Sequence, residues 1–519
     1  MNDRRSGIRI ERDRLCHMPC AKNVNCRSQI SWQGLLLSVW LCLVTLTGCM
    51  VGPNFEPPQV QVPPDWAGPS KEPTAQPSSP AESDLARWWT VFEDPTLTSL
   101  VERAVKSNLD LMLAEARIQQ ARAARGIAVS GIGPTVDATG SYQRSRYSVT
   151  TSNGRNGRIA DDDQTEEVIS NNYQAGFDAG WEIDIFGGVR RGIEAADADL
   201  QAAVETHRDV LVTLTAEVAR NYIDLRAFQQ RIAIARQNLK AQEHSAELTR
   251  QRFEGGFVSG LDVANAEAQV STTASQIPLL EASARQTIYS LSVLLGREPA
   301  ALIQQLSPAS AIPTAPPSVP AGVPSELLRR RPDIRRTEAE IHAATARIGV
   351  ATADLYPKFT IFGSVGVQAS DLSSWFTWTS GLWSFGPSMS WRLFETGRIR
   401  SNIKEQEALQ EQSLIVYRQT ILAALQDVED ALVTAAKEEE RREALVKAVG
   451  SNQKAVELAT TLYTEGQTDF LNVLQAQRAL YNSEDELAVS TQVLSTNLVA
   501  LYKALGGGWE AEPKRDVSP

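Results

Sequence analysis

Cys16, Cys20, Cys26, Cys42 and Cys49 are the only thiols in this 519-residue chain, and all lie in its first 49 residues. Thiol chemistry and any disulfide are therefore confined to that end. Three histidines follow them, His207, His244 and His342. All three sit in helical stretches without ligand spacing, so they read as solvated helix positions. No nucleophile motif, phosphate loop or metal cluster is legible. The chain reads as no enzyme, with no catalytic, cofactor-binding or metal residues and no cofactor. Its net charge of −11 excludes nucleic acid as a partner, which needs a basic stripe. Two charge runs have bland readings. Arg329-Arg330-Arg331 starts a helix and pairs with the Glu338 and Glu340 side. Glu438 to Arg442 is a solvated helix face.

Cys49 is the thiol with a chemical context. Residues 34–46 are an apolar run with Lys22 and Arg27 upstream, too short for a comfortable transmembrane helix and suited to a signal peptide over 1–48. The run ends in Leu46-Thr47-Gly48-Cys49, which resembles a bacterial lipobox, where the cysteine is acylated and becomes the first residue. A chance cysteine behind an ordinary signal is the alternative. Met50 in place of aspartate implies the outer membrane rather than inner-membrane retention. Met18 offers a second translation start. Residues 51–84 carry nine prolines and run extended over the surface or form a free linker.

The elements that must position everything else are helices of unusual length. Gly188 to Glu254 spans 67 residues without a proline, with Val204, Leu211, Val218, Leu225, Ile232, Leu239 and Ala246 at seven-residue intervals. Such a repeat buries one stripe of a helix against others, over roughly 100 Å. The stretch occurs twice: an offset of 210 aligns Phe253 with Tyr463, Gly256 with Gly466 and Leu261 with Leu471. Preceding helices, opening at Asp94-Pro95 and near Ser325, align at an offset of 223. The first is expected to run unbroken to about Ser130. Between helices, Tyr173 to Ile185 and Trp383 to Leu393 alternate apolar and polar residues, and 136–143 and 359–369 do so less cleanly. That pattern reads as four strands with one oily face, of a length to cross a bilayer. Pro387 is the one residue that sits badly in such a strand. Four strands cannot close a barrel and an open edge in lipid is forbidden. Oligomerisation follows, with a cyclic trimer of twelve strands preferred to a dimer of eight. The fold class is thus an internally duplicated α+β membrane channel with a long coiled-coil helical barrel.

Each long helix ends in a glycine-rich turn, Gly255-Gly256-Phe257-Val258-Ser259 and Gly466-Gln467-Thr468-Asp469, and a shorter helix returns antiparallel to it. Pro278 lies inside the first return helix and should kink it. The expected segments are an anchored extended stretch over 49–90, a first repeat over 91–306, a Pro-rich joint over 307–324, a second repeat over 325–506 and a tail over 507–519.

Particular stretches resemble the TolC-like outer-membrane channel family, in its lipoprotein (NodT) branch. They are Val51-Gly52-Pro53-Asn54-Phe55, Trp88-Trp89 with Asp94-Pro95, Leu327 to Arg335, Phe385-Gly386-Pro387-Ser388 and Leu393 to Arg400. The resemblance implies a homotrimer in the outer membrane, lipid-anchored at Cys49, with a periplasmic helical tunnel. It implies that Gly255, Gly256, Val258, Ser259, Gly466, Gln467, Thr468 and Asp469 form tips that dock a periplasmic adaptor coupled to an inner-membrane RND-type pump. It places Asp262, Asn265, Asn472 and Gln475 at the entrance constriction, where relatives often carry aspartates. Asp262 either charges that entrance or caps its helix. The exit duct of a type I protein-secretion system is the alternative function, and a trimeric coiled-coil fibre a third reading, disfavoured because fibres do not return their helices.

Overall fold

The computed structural model describes residues 50–67, 85–146, 169–314 and 324–509. The signal segment, Cys49, most of the acidic loop at 148–171, the centre of the joint and the end of the tail lie outside them. In the first unit, α1 (Pro95–Ser107) and α2 (Leu109–Ser130) lead to β1 (Thr135–Arg146) and β2 (Ile169–Ile183), then to α3 (Gly188–Glu254) and α4 (Gly260–Leu294). Short helices α5 (Ile303–Leu306) and α6 (Pro324–Arg330) flank the joint. The second unit repeats the order with α7 (Pro332–Ala353), β3 (Lys358–Ala369), β4 (Gly381–Ser390), α8 (Arg398–Thr464) and α9 (Phe470–Ala504). The two long helices have 67 residues each and the two return helices 35 each. Matching hydrogen bonds mark the duplication: the Trp181 indole donates to the Ile132 carbonyl at 2.7 Å, and Trp391 to Leu355 at 3.0 Å.

Asp94 starts α1 as expected, its carboxylate accepting from the Thr96 and Leu97 amides, with Pro95 at the first helical position. The helix does not run on to Ser130. It breaks at Asn108, which is buried, accepts from the Leu111 amide at 2.9 Å and donates to the Leu294 carbonyl at 2.9 Å. An asparagine side chain competes for backbone groups in this way, and apolar periodicity on both sides hides the interruption.

The four strands form one antiparallel sheet in the order β1-β2-β3-β4. Its register lines up Ala138, Phe177, Val365 and Trp383 across the strands, and Val136, Ala179, Gly363 and Phe385 beside them. Directly opposed residues share a face, so the oily rows of all four strands join into one apolar face that the chain leaves open. Phe177, Val365, Trp383 and Phe385 are all exposed. Pro387 lies on β4, the strand at one edge of the sheet within the chain, opposite Ile361 of β3.

The main core gathers where both ends of the described chain meet the first unit. Trp88, Trp89 and Phe92 are buried with Leu97, Leu100, Val218 and Tyr222. Trp88 stacks on Tyr502 at 5.3 Å between ring centres. Gly508, with φ +108°, lets the chain pass Trp88 and Thr215, where an added Cβ would sit 3.2 Å and 3.1 Å from the nearest atoms.

Residues 50–67 form an extended strap, held by a buried guanidinium. Arg191 donates to the Val51 carbonyl (3.2 Å), the Gly52 carbonyl (3.4 Å) and the Asn54 side chain (2.7 Å), and pairs with Glu194 at 2.7 Å. Gly52 lies so close to Gly349 that a Cβ there would meet its Cα at 2.5 Å. Phe55 stacks on His342 at 4.4 Å, and Val60 and Val62 cover the cluster of Ile334, Tyr417 and Ile421. The strap's far end donates from the Ala67 amide to Glu429 at 2.7 Å.

Two expectations are corrected here. Among the three described histidines His244 is exposed, whereas His207 is buried and His342 is half-buried, 3.0 Å from Glu194 beneath Phe55. Arg331 does not turn to Glu338 and Glu340. It pairs with Asp333 (2.7 Å) and Asp427 (3.1 Å) and donates to the Ala504 carbonyl. Burial opposes its charge, but those carboxylates outweigh burial and raise its pKa. Glu340 pairs with Arg336 instead. No described helix is long and apolar enough to cross a membrane.

Candidate functional site

The hairpin ends farthest along the long helices from the sheet carry the residues that the family resemblance assigns to docking and gating. Both turns are built alike. Gly256 and Gly466 take φ of +79° and +76°, and the next amides, of Phe257 and Gln467, bond back to the Arg252 and Leu462 carbonyls at 2.8 Å each. This six-to-one bond closes a helix end when a glycine adopts the left-handed conformation. At Gly255 an added Cβ would meet the exposed Phe257 ring at 2.9 Å, which would have to swing aside. Gly255, Gly256, Ser259, Gly466, Gln467 and Asp469 are exposed, and Val258 and Thr468 half-buried. Phe257 and Leu261 also stand exposed at 78% and 69%, so the first tip is markedly apolar and the second, with Gln467 in the place of Phe257, is polar.

Asp262 is a helix cap. Its carboxylate accepts from the Ser259 amide (3.0 Å) and hydroxyl (2.8 Å), while the Ser259 hydroxyl accepts from the Asp262 amide, a reciprocal capping box. The carboxylate stays partly solvent-exposed. On the second hairpin Asp469 occupies the cap position without a side-chain bond, and Asn472 donates to the Thr468 hydroxyl at 2.7 Å. Asn472 and Gln475 are exposed and Asn265 is half-buried. Pro278 lies within α4, which continues through it from Gly260 to Leu294.

Sequence reasoning missed what joins the two tips. The Arg252 guanidinium donates to the Tyr463 carbonyl and lies 4.6 Å above the Tyr463 ring. The Tyr463 hydroxyl bonds Thr249 at 3.2 Å, and its ring packs on Phe470 at 5.6 Å. Tyr463 and Phe470 are buried with Ala266, Val473 and Leu474. Farther up the same seam Gln477 donates to Ser245 at 2.8 Å, Asn238 to Glu484 at 2.8 Å, and Arg231 grips Asp485 through two bonds of 2.7 and 3.0 Å. Aligning the repeats shows the signal: Arg252 corresponds to Leu462 and Tyr463 to Phe253, an asymmetry with no role until the seam is seen. None of this arrangement offers a nucleophile or a base beside a pocket, and among the described residues no cluster could hold a metal ion.

Comparison with known proteins agrees with this architecture. The profile of the family described as outer membrane efflux protein matches residues 100–297 and 323–507. Nodulation protein T of Rhizobium leguminosarum bv. trifolii is 31% identical over 469 residues, covering 90% of this chain and 96% of the relative. The pyoverdine export outer membrane protein OpmQ of Pseudomonas putida is 36% identical over 433 residues, covering 82% and 89%. Among solved structures, the outer-membrane channel OprN superposes with a TM-score of 0.80 at 35% identity, covering 89% of this chain and all of that one. The chain belongs to the outer membrane efflux protein family and has the TolC-like fold. It is an outer-membrane efflux channel.

Proposed function

We propose that three copies of this chain form the exit duct of an RND-type tripartite pump. Small molecules would pass from a periplasmic adaptor and inner-membrane pump to the outside. The observation that carries the assembly is an incomplete internal symmetry. α7 packs on α8 of its own unit and on α3 of the other, whereas α2 packs on α3 and makes no comparable packing with α8. The sheet is likewise open at β1 and β4. An open sheet edge has no place in lipid. Three copies supply twelve strands and let α2 and α8 of neighbouring copies complete the ring. The printed names of relatives, pyoverdine export and toluene efflux among them, point to small-molecule cargo.

In this reading the tips at Gly255, Gly256, Val258, Ser259, Gly466, Gln467, Thr468 and Asp469 dock the adaptor. Asp262, Asn265, Asn472 and Gln475 line the constriction, with Asp262 its only carboxylate. Cys49 carries lipid. The strap supports that anchor, because Met50 packs on Gly187, where the sheet hands over to α3. The duct does no chemistry. The test is photo-crosslinking in cells from a probe at Gln467. Capture of an adaptor of an RND-type pump is the expected result. Capture of a secretion-system adaptor would change the cargo to protein, and no periplasmic partner for a correctly exported trimer would overturn the docking tip.

A further inference from the structure

The apolar face of the sheet ends differently at its two rims. Near the helices it closes with Trp181, Ile361 and Pro387 in one row and Ile183, Phe359 and Met389 in the next. None of these is charged, and the Trp181 indole is already bonded to the Ile132 carbonyl. At the far rim the row of Tyr142 and Tyr173 is followed by the row of Arg144 and Asn171. Alternate residues of a strand share a face, so Arg144 lies on the same side as Val136, Ala138 and Tyr142.

The order of side chains up this face is that of a lipid leaflet. Tyr142 stacks on Tyr173 at 4.7 Å, Trp375 lies 6.2 Å beyond Tyr173, and Phe376 stacks on Trp375 at 5.9 Å. Phe376 and Trp378 are 92% and 99% exposed. Such rings sit at the headgroup level of a bilayer. From Trp181 to Asn171, the partner of Arg144, β2 runs ten residues, roughly 33 Å of strand. At a tilt of about 40° that rises roughly 25 Å, the height of the apolar band of a membrane barrel. The strands join the helices at the Trp181 end, so the Arg144 end lies in the outer leaflet. Arg144 is exposed, and among the described residues it has no hydrogen-bonded or ion-paired partner. Arg146 has an interaction of its own. Asp371 is the one carboxylate among the described residues of this rim.

We propose that Arg144 holds a phosphate of a glycolipid in the outer leaflet, whose acyl chains lie along Phe177, Val365 and Trp383. A guanidinium grips phosphate through paired N–H donors. An ordinary phospholipid, present in both leaflets, would call for the same cation at both rims, and only the outer rim has one. The site rests on the sheet being part of an outer-membrane barrel, and its number per assembly on the trimeric reading above.

Full-length trimers in a nonionic detergent would be titrated with bisphosphorylated lipid A and read by native mass spectrometry. One retained lipid per copy is expected. Arg144→Gln should weaken retention by about tenfold or more, and Arg144→Lys by less, because an ammonium keeps the charge but loses the paired donors. Removing one phosphate from the probe should weaken binding to the wild type and leave the Arg144→Gln variant unchanged. Gln143→Ala, on the opposite face, should change nothing. Equal retention of lipid A by wild-type and Arg144→Gln trimers would overturn the proposal. Phosphatidylglycerol held as tightly as lipid A, with the same dependence on Arg144, would also overturn it by making the ligand an ordinary phospholipid. The spectrum counts the copies directly, so a failure of the trimeric reading and a failure of the lipid site are told apart.

Discussion

At the scale of single residues, Arg191 shows how a buried charge organises a segment that lacks a core of its own. Two strap carbonyls and Asn54 are satisfied by its guanidinium. Truncating Arg191 removes three hydrogen bonds that a charged donor makes to the strap. Arg191→Met should therefore release the strap, read as a tenfold or faster cleavage after Phe55 by chymotrypsin, with the helices still folded. Glu194 adds a pH dependence. Burial pushes its pKa up, but Arg191 and His342 outweigh that and hold it below the usual value. A carboxylate so depressed stabilises above its unfolded pKa, about 4.3, and that contribution is lost as pH falls through its folded value. Strap protection should drop in that acid range, and Glu194→Gln should remove the step.

Among the elements, four helix ends close on a left-handed glycine: Gly256, Gly296, Gly466 and Gly506, with φ between +65° and +79°. Their surroundings differ. An added Cβ meets nothing within 4 Å at Gly256, and lies 2.3 Å from the Ser107 carbonyl oxygen at Gly296. Gly256→Ala should cost only the left-handed penalty of roughly 1–2 kcal/mol, visible as faster amide exchange at 252–257 with an unchanged global melting point. Gly296→Ala should lower the melting point of the whole chain, because the α1–α4 contact must part. Equal effects at the two sites would contradict this account. Element identity was legible because hydrophobic periods of seven and of two each run for many residues. The break at Asn108 was not, since one side chain replaced backbone bonds without disturbing the apolar spacing on either side.

For the molecule as a whole, the open faces are informative. α3 buries residues along most of its length, while α8, its counterpart, buries few. By the repeat offsets, Met112 and Ile415 stand where the other half of the molecule has the Arg335–Glu205 ion pair. Met112→Arg or Ile415→Glu alone would place an unpaired charge in an apolar seam, so each should lower the trimer fraction on native gels by tenfold or more. The double variant should recover much of it, because the pair rebuilds the salt bridge found within the chain. Such coupling is what a double-mutant cycle isolates. Additive losses would place these residues apart in the assembly.

Length, periodicity and duplication were carried by the sequence alone. The ends of both long helices, the four strands and the glycine turns could be placed from it, since backbone preferences and apolar stripes act over neighbouring residues. What faces what across the units depended on tertiary structure. The links of Arg252 to Tyr463 and of Arg191 to the strap join positions 211 and up to 140 residues apart in the chain. The burial of His207, and the turn of Arg331 to Asp427 rather than to Glu338 and Glu340, follow the same rule. Such polar contacts leave no periodic trace, because a single bond across a helix seam is set by packing rather than by local conformation.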